Sequence, residues 1–372
     1  MGNLPESNRL PVEYLAAGFD EVTNSYKFYW FLAILHHVYI NQSATIPMDD
    51  LLAQMVAHAW YPANYFRLSF GRQDRLGNIA LKAVSQTGLP LDVGRREVTK
   101  ALVRQLAEDT PFSREIKSLG AYVPYRFLRP FFASELRRLP DREVNFQVEA
   151  LASQRFDDPA RPCLYRFVNI PRPGIEIHPL WFEYINRHYS ILAGFCLWKL
   201  LNYLQKNNPN VPNIAGKLFE PVQRDLKQAR VFWNLAMENA SGLICIYSGQ
   251  VMHRDAFSLD HFLPWSFVAH DLLWNIIPTT RNINSAKSDN LPSLEHYFEP
   301  YARMQYDALQ MIARLSHPRL LEDYITLLKS GSLDELQSLP YDQFRHSLYA
   351  VIAPQIQIAA NMGFIPQWSY AR

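Results

Sequence analysis

One segment of the chain, residues 26–38 (YKFYWFLAILHHV), is apolar on nearly every side when it is drawn as a helix. A helix without a polar face has to be surrounded by other elements, as in the centre of a helical bundle. Two further segments, 49–59 and 94–108, carry apolar residues at helical spacing, and no proline interrupts any of the three. The first 120 residues therefore predict a helical domain.

The pattern changes after residue 120. Short β-branched or aromatic stretches at 122–132, 163–168 and 175–181 are separated by proline-rich turns, which predicts a few strands. Helical patterns return at 180–205, 216–236, 297–314, 320–329 and 342–362. We therefore predict a mainly α protein in four segments: a helical domain (1–120), a mixed region of short strands and then helices (121–240), a ββα unit (241–294) and C-terminal helices (295–372).

The charge of the chain is unevenly distributed. Its net charge is only +2, so there is no chain-wide signal for a polyanion. Residues 64–140 contain 14 Lys and Arg against 7 Asp and Glu, a local balance of +7. Such a block suits a phosphate backbone, although a solvated helical face is equally common. The candidate nucleic-acid contacts are Arg72, Arg75, Arg95, Arg96, Lys100 and Arg104.

Cysteine usage and hydropathy indicate the compartment. Cys163, Cys196 and Cys245 are odd in number and widely scattered, which favours free thiols in a reducing environment. The longest apolar stretches, 28–35 and 191–201, are too short to span a bilayer, and no signal-peptide pattern opens the sequence. We expect a cytoplasmic protein that does not contact a membrane.

Residues 258–293 contain the pattern that can carry chemistry. Its polar members are Asp260, His261, Asn275, Asn284 and Lys287. Histidine, whose ordinary pKa of about 6.5 lies near neutral pH, can take a proton from water. Carboxylate and amide oxygens are hard ligands that suit Mg²⁺. These residue types together predict hydrolysis by an activated water.

The same segment resembles the HNH (ββα-metal, His-Me finger) endonucleases, and most of all the HNH domain of RNA-guided CRISPR effector nucleases. The shared features are the DH-x-x-P start, the SF pair, two asparagines and a closing KSDN-x-PS at matching offsets. The resemblance implies that His261 is the general base, that Asn275 helps to orient its ring, and that Asp260 and Asn284 bind Mg²⁺ or Mn²⁺.

Lys287 is expected to share that site. In a helix that starts near residue 279, Thr280, Asn284 and Lys287 lie on one face, so the Lys287 ammonium could neutralise phosphate charge beside the metal.

Many HNH proteins carry two CxxC pairs that bind a structural zinc, and this sequence departs from that pattern. Only Cys245 remains at the corresponding positions, too few for a tetrahedral thiolate site. No structural zinc is therefore expected. We expect the small nuclease unit to be embedded between helices and stabilised by packing.

The resemblance implies a metal-dependent DNA endonuclease that nicks double-stranded DNA, phage DNA included. Its layout is similar to the effectors of bacterial anti-phage defence, such as the HNH nuclease component of Zorya-type systems, with other defence-system proteins as partners. A standalone restriction or repair endonuclease is one alternative. A non-catalytic DNA-binding or scaffold protein with a remnant site is another, against which the intact set of polar residues argues.

Overall fold

The computed structural model describes residues 4–20, 22–158, 160–169, 171–221, 224–240, 242–315, 317–330 and 332–371. Within these residues the chain is mostly helical, as predicted, and its sheets are small. The chain forms two compact units. Unit 1 comprises Met1–Pro209 and Ile214–Pro221, and unit 2 comprises Asn210–Asn213 and Val222–Arg372. The predicted mixed region, 121–240, is thus divided between the two units.

Unit 1 is built mainly from helices around α2. Its helices are α1 (Val12–Ala17), α2 (Tyr26–Leu35), α3 (Met48–Trp60), α4 (Arg75–Thr87), α5 (Arg95–Leu106), α6 (Pro111–Lys117), α7 (Val123–Leu128), α8 (Asp141–Arg155) and α9 (Pro179–Asn207). Every residue of α2 from Phe28 to Leu35 is buried, and the helix packs against α3 and α9. The predicted central helix is confirmed, because an element without a polar face is stable only where neighbours cover it.

Two helices of unit 1 end in π-helical turns, which the sequence did not predict. His36–Ile40 continues α2, and Tyr61–Tyr65 continues α3. A π-helical turn contains one more residue than an α-helical turn and is often found at functional sites.

The small sheet of unit 1 has the order β1-β3-β2, with antiparallel pairs. Its strands are β1 (Thr45–Pro47), β2 (Tyr165–Val168) and β3 (Gly174–Ile177). β2 confirms the strand predicted at 163–168, and β3 confirms the first part of the strand predicted at 175–181, whose last residues, from Pro179 on, belong to α9.

The strand prediction at 122–132 is wrong, because this segment forms α7 and a 3-10 turn, Arg129–Phe132. Val123, Phe127 and Phe131 are all buried, at helical spacing. An aromatic-rich run can satisfy either period, and the buried stripe here follows the helical one.

Unit 2 combines helices with two hairpin-like strand pairs. Its helices are α10 (Lys227–Asn239), α11 (Trp265–Val268), α12 (Arg281–Lys287), α13 (Leu294–Arg314), α14 (Glu322–Leu328), α15 (Leu333–Gln337) and α16 (Tyr341–Asn361), and its strands are β4 (Leu243–Ile244), β5 (Val251–Met252), β6 (Ser258–His261) and β7 (Ile276–Thr279). β4 pairs with β5 and β6 with β7, both antiparallel. α12 follows β7 directly in the chain.

The helix predicted at 216–236 is wrong over its first half. Only a short 3-10 turn, Gly216–Leu218, precedes α10, and residues 219–221 and 224–226 are not helical. Pro221 explains part of the break, because proline disfavours a helical conformation at the residue before it.

Helix α13 packs against the β6–β7 pair through polar as well as apolar contacts. Gln305 Nε2 donates to the carbonyl of Ile276 at 2.9 Å, and the Tyr301 hydroxyl donates to the carbonyl of Trp274. The Tyr301 ring also stacks on Phe262, with ring centroids 3.9 Å apart. Because buried carbonyls are costly when unpaired, these bonds fix β7 on the helix. Packing of this kind stabilises the β6–β7 pair.

In the part of the chain described above, no helix has both the length and the apolar character needed to cross a bilayer.

Candidate active site

The strand pair β6–β7 places two of the predicted residues at one cavity. Asp260 lies opposite Ile277 and His261 lies opposite Ile276, at the end of β6. Neighbouring side chains on a regular strand point to opposite faces, but the strand ends at His261, and both side chains line a cavity of about 210 Å³. The lining residues are Arg224, Asp260, His261, Pro264, Trp265, Asn284, Ser285, Ser288 and Asp289.

The Asp260 carboxylate is 3% exposed and is held by two donors. Tyr247, in the turn between β4 and β5, donates its hydroxyl to Oδ2 at 2.8 Å, and Lys287 Nζ donates to Oδ1 at 3.1 Å. Burial, and then the charge of Asp260, raises the pKa of the Tyr247 phenol well above its ordinary value. The hydroxyl therefore stays protonated and remains a donor. Tyr247 was missed in the sequence because the motif does not include it.

The ammonium of Lys287 contacts different partners from the one predicted. Its side chain is 1% exposed, and its ammonium bonds both Asp260 and the carbonyl of His261, the latter at 2.6 Å. Burying an ammonium is costly unless it is paired and hydrogen-bonded, and both requirements are met here. The ammonium faces the protein, so it is not available to a substrate phosphate. This geometry makes Lys287 a residue that positions Asp260.

The His261 ring is fixed by an acid that the sequence analysis did not identify. His261 Nε2 lies 2.8 Å from Asp271 Oδ1, and Asp271 Oδ2 accepts the backbone N–H of Asp225 at 3.2 Å. A carboxylate partner at Nε2 keeps the proton on that nitrogen and leaves the lone pair on Nδ1. Among the described residues none hydrogen-bonds Nδ1, and His261 lines the cavity. The ring is thus oriented as a base needs to be.

Asn275 acts on the backbone and not on the ring. Its Oδ1 accepts the backbone N–H of Leu263 at 2.8 Å, and its Nδ2 donates to the carbonyl of the same residue at 3.0 Å. The structure therefore shows the Asn275 amide bonded to the backbone of Leu263 and not, as predicted, to the His261 ring. Asn275 is fully buried and closes the loop that follows His261, so it fixes where the strand ends.

Asn284 reaches the cavity from α12. Its Nδ2 donates to Ser258 Oγ at 2.9 Å and to the carbonyl of Leu259 at 3.0 Å. With the amide nitrogen committed, Oδ1 accepts no hydrogen bond from the residues that the structure describes. An acceptor without a donor beside the Asp260 carboxylate is a fitting cation ligand.

The donor set at the cavity fits a hard divalent cation. Asp260 has lone pairs beyond the two that Tyr247 and Lys287 use, and Asn284 adds a neutral oxygen. Two protein oxygens leave most positions for water and substrate, which suits Mg²⁺. Within the described chain no three His, Cys, Asp or Glu side chains come together as a metal cluster, so a cation here would depend on this mixed pair. Cys245 is buried, with Sγ 3.2 Å from Thr279 Oγ1.

Arg224 is a further cavity residue that the motif did not indicate. It is exposed, and its guanidinium lies 5.8 Å from the centre of the Trp265 ring. Arg224 precedes α10 in the sequence and has no fixed spacing to Asp260. Only the fold of unit 2 brings it to the cavity. It places a positive charge at the cavity, which Lys287 does not line.

The predicted nucleic-acid contacts lie in unit 1. Arg72, Arg75, Arg96, Lys100 and Arg104 are exposed. Lys100 is paired with Glu97 at 2.8 Å. Arg95 differs from the rest, because its side chain is partly buried and its Nε is shielded from solvent.

Comparison with known protein families gives a match at the segment that contains this cavity. Residues 245–293 match the family model of the HNH endonucleases. The match supports an HNH nuclease domain at residues 245–293, and it implies that nucleic acid is the substrate and that hydrolysis is the reaction. HNH nucleases generally use a divalent metal ion. No curated protein and no solved structure matches the chain.

The buried pair of Asp260 and Lys287 gives a stability prediction. We expect Lys287→Met to lower the free energy of unfolding by about 3–5 kcal/mol, because it leaves a buried carboxylate without its cation. The double variant with Asp260→Asn should be no less stable than Lys287→Met alone, since the orphaned charge is then absent. Urea unfolding measures both, with the exposed Lys227→Met as the control. Strictly additive losses would contradict the pairing.

Proposed function

We propose that this protein is a Mg²⁺- or Mn²⁺-dependent DNA endonuclease in which His261 is the general base. The observation that carries the proposal is the ring of His261, which is held through Nε2 by Asp271 and presents Nδ1 at the cavity. Proton transfer by a positioned base accelerates such reactions by about 10²–10⁴-fold.

The reaction is hydrolysis of one phosphodiester bond. His261 Nδ1 takes a proton from a water molecule, the water oxygen forms a bond to phosphorus, and the bond to the 3′ oxygen breaks, after which that oxygen takes a proton from solvent water. A divalent cation held by Asp260 and Asn284 would stabilise the negative charge on the phosphate and on the leaving 3′ oxygen. The products are a 5′-phosphate and a 3′-hydroxyl. One such site cuts one strand, so we propose that the enzyme makes a nick.

Two residues support the base and the substrate. Asp271 stabilises the imidazolium that forms when His261 takes the proton. Arg224 binds the substrate phosphate through its guanidinium, which suits an oxyanion because its N–H groups can donate in pairs. Lys287 and Tyr247 hold the Asp260 carboxylate in place.

Binding of the DNA backbone away from the cavity is assigned to the exposed cations of unit 1, Arg72, Arg75, Arg96, Lys100 and Arg104. What supports this assignment is their exposure and the positive balance of residues 64–140.

Removal of the base should abolish cleavage. With Mg²⁺ or Mn²⁺ the purified protein should convert supercoiled plasmid into the nicked form, and His261→Ala should slow this by at least about 100-fold. His253→Ala, an exposed histidine of the same unit, is the matched control and should keep full activity. Equal rates for the two variants would rule out His261 as the base.

Replacement of Asp271 should affect the chemical step and not substrate binding. Asp271→Asn keeps the size of the side chain but removes the negative charge that stabilises the imidazolium. We expect kcat to fall by roughly 10- to 10³-fold with little change in KM. Asp255→Asn, at an exposed aspartate, should leave both constants unchanged. An increase in KM alone would contradict this role.

Replacement of Arg224 should affect substrate binding, measured as KM, more than the chemical step, measured as kcat. Arg224→Gln removes the cation at the cavity, and we expect kcat/KM to fall about tenfold or more, with KM rising. Lys227→Gln is the control for loss of a nearby exposed charge. An unchanged KM in Arg224→Gln would remove this residue from the substrate site.

The biological role that we propose is that of an effector in bacterial anti-phage defence, with phage DNA as the target and other defence proteins as partners. The proposal rests on the similarity of layout to such effectors. Cells that express the chain with its neighbouring genes should resist phage, and His261→Ala should remove the resistance. Identical phage titres on cells with the native and the variant chain would favour the restriction or repair alternative.

A further inference from the structure

Unit 1 contains a group of polar side chains that the nuclease site does not involve. We call it the Arg95 cluster: Tyr29 of α2, His36 of the π-helical turn after α2, His58 of α3, Tyr61 of the π-helical turn after α3, and Arg95 at the start of α5. The His36 and His58 rings have centroids 6.3 Å apart, and the Arg95 guanidinium lies 5.9 Å from the centre of the Tyr61 ring. Both π-helical turns of unit 1 noted above therefore contribute to one place.

The cluster holds more hydrogen-bond donors than the protein uses. Within the described residues the Arg95 guanidinium forms no hydrogen bond and no ion pair, and its Nε is shielded from solvent. The hydroxyl of Tyr29, a residue 1% exposed, is also buried without a partner. A partly buried cation and a fully buried hydroxyl are both costly when unpaired. A ligand with several acceptor atoms would satisfy both.

The charges of the cluster define which ligand fits. Burial, and then the charges of His37 and Arg95, lower the pKa of His36 to about 4. Burial and Arg95 also lower the pKa of His58 well below its ordinary value. Both rings are thus neutral near pH 7, and each can donate one N–H. Arg95 is then the centre of a positive site surrounded by neutral donors.

We propose that the Arg95 cluster binds the phosphate group of a small ligand, either free phosphate or a phosphate monoester. A guanidinium donates to two oxygens of such a group at once, and a phosphate has enough oxygens for the histidine donors and the Tyr29 hydroxyl as well. A metal cation is excluded by the Arg95 charge, and no metal cluster of His, Cys, Asp or Glu occurs in the described part of the chain. Duplex DNA is disfavoured because Tyr29 and Tyr61 are buried.

Glu220 is the acidic residue that a ligand would meet. Its side chain is exposed, and its Oε2 accepts the backbone N–H of Arg95 at a long 3.5 Å, while the guanidinium stays unpaired. The negative charge of this carboxylate would repel a phosphate bound near the start of α5. Its removal should therefore favour the phosphate.

Titration calorimetry of the full chain with inorganic phosphate and with adenosine monophosphate tests the proposal. We expect saturable binding of at least one of them, and binding about tenfold weaker or more in Arg95→Gln. Arg142→Gln, at an exposed arginine of α8 in the same unit, should bind as the native chain does. Tighter binding of the nucleotide would identify a phosphate monoester, and binding of phosphate alone would identify the free ion.

Two further variants keep the test decisive if Arg95→Gln does not fold. Arg95→Lys retains the charge but not the paired donors and should bind with intermediate affinity. Glu220→Gln should bind at least about twofold more tightly, since it removes a repelling charge. Absence of saturable binding in the native chain, equal losses in the Arg95 and Arg142 variants, or weaker binding in Glu220→Gln would overturn the proposal.

Discussion

The buried Asp260 carboxylate is the constraint on which the catalytic unit depends. A carboxylate that is 3% exposed needs partners, and it takes them from two separate parts of the chain: Tyr247 between β4 and β5, and Lys287 at the end of α12. These two bonds connect the β4–β5 turn, the end of β6 and the end of α12. Lys287 also bonds the His261 carbonyl, so the same ammonium fixes the backbone of the proposed base.

The division of roles in the site follows from this constraint. Asp260 is fixed by groups that face the protein, which leaves the cavity side of the site to Arg224, Asn284 and the Nδ1 atom of His261. Asn275 and α13 complete the support, since they fix the loop after β6 and the carbonyls of β7. Packing and buried hydrogen bonds therefore stabilise the unit, which has only Cys245 at the positions where many HNH proteins carry zinc-binding cysteines.

The sequence predicted those parts of the site that local spacing determines. Asp260, His261 and Asn284 could be found because their offsets are fixed by one strand pair and one short helix. Asp271, Tyr247 and Arg224 could not, because their contacts depend on how loops return to β6. Lys287 was placed on the correct helix face, but whether an ammonium faces a phosphate or a buried acid depends on burial, which spacing does not reveal. The error at 122–132 has a similar origin, since its aromatic residues fit a strand and a helix equally well.

The central claim is that water, activated at His261, attacks phosphorus and releases the 3′ oxygen. Single-turnover cleavage of an end-labelled DNA duplex in H₂¹⁸O, followed by mass analysis of the product ends, tests it most directly. We expect ¹⁸O in the new 5′-phosphate of one fragment and a 3′-hydroxyl on the other fragment. Product ends with a 3′-phosphate, or a 5′-phosphate without the label, would contradict it.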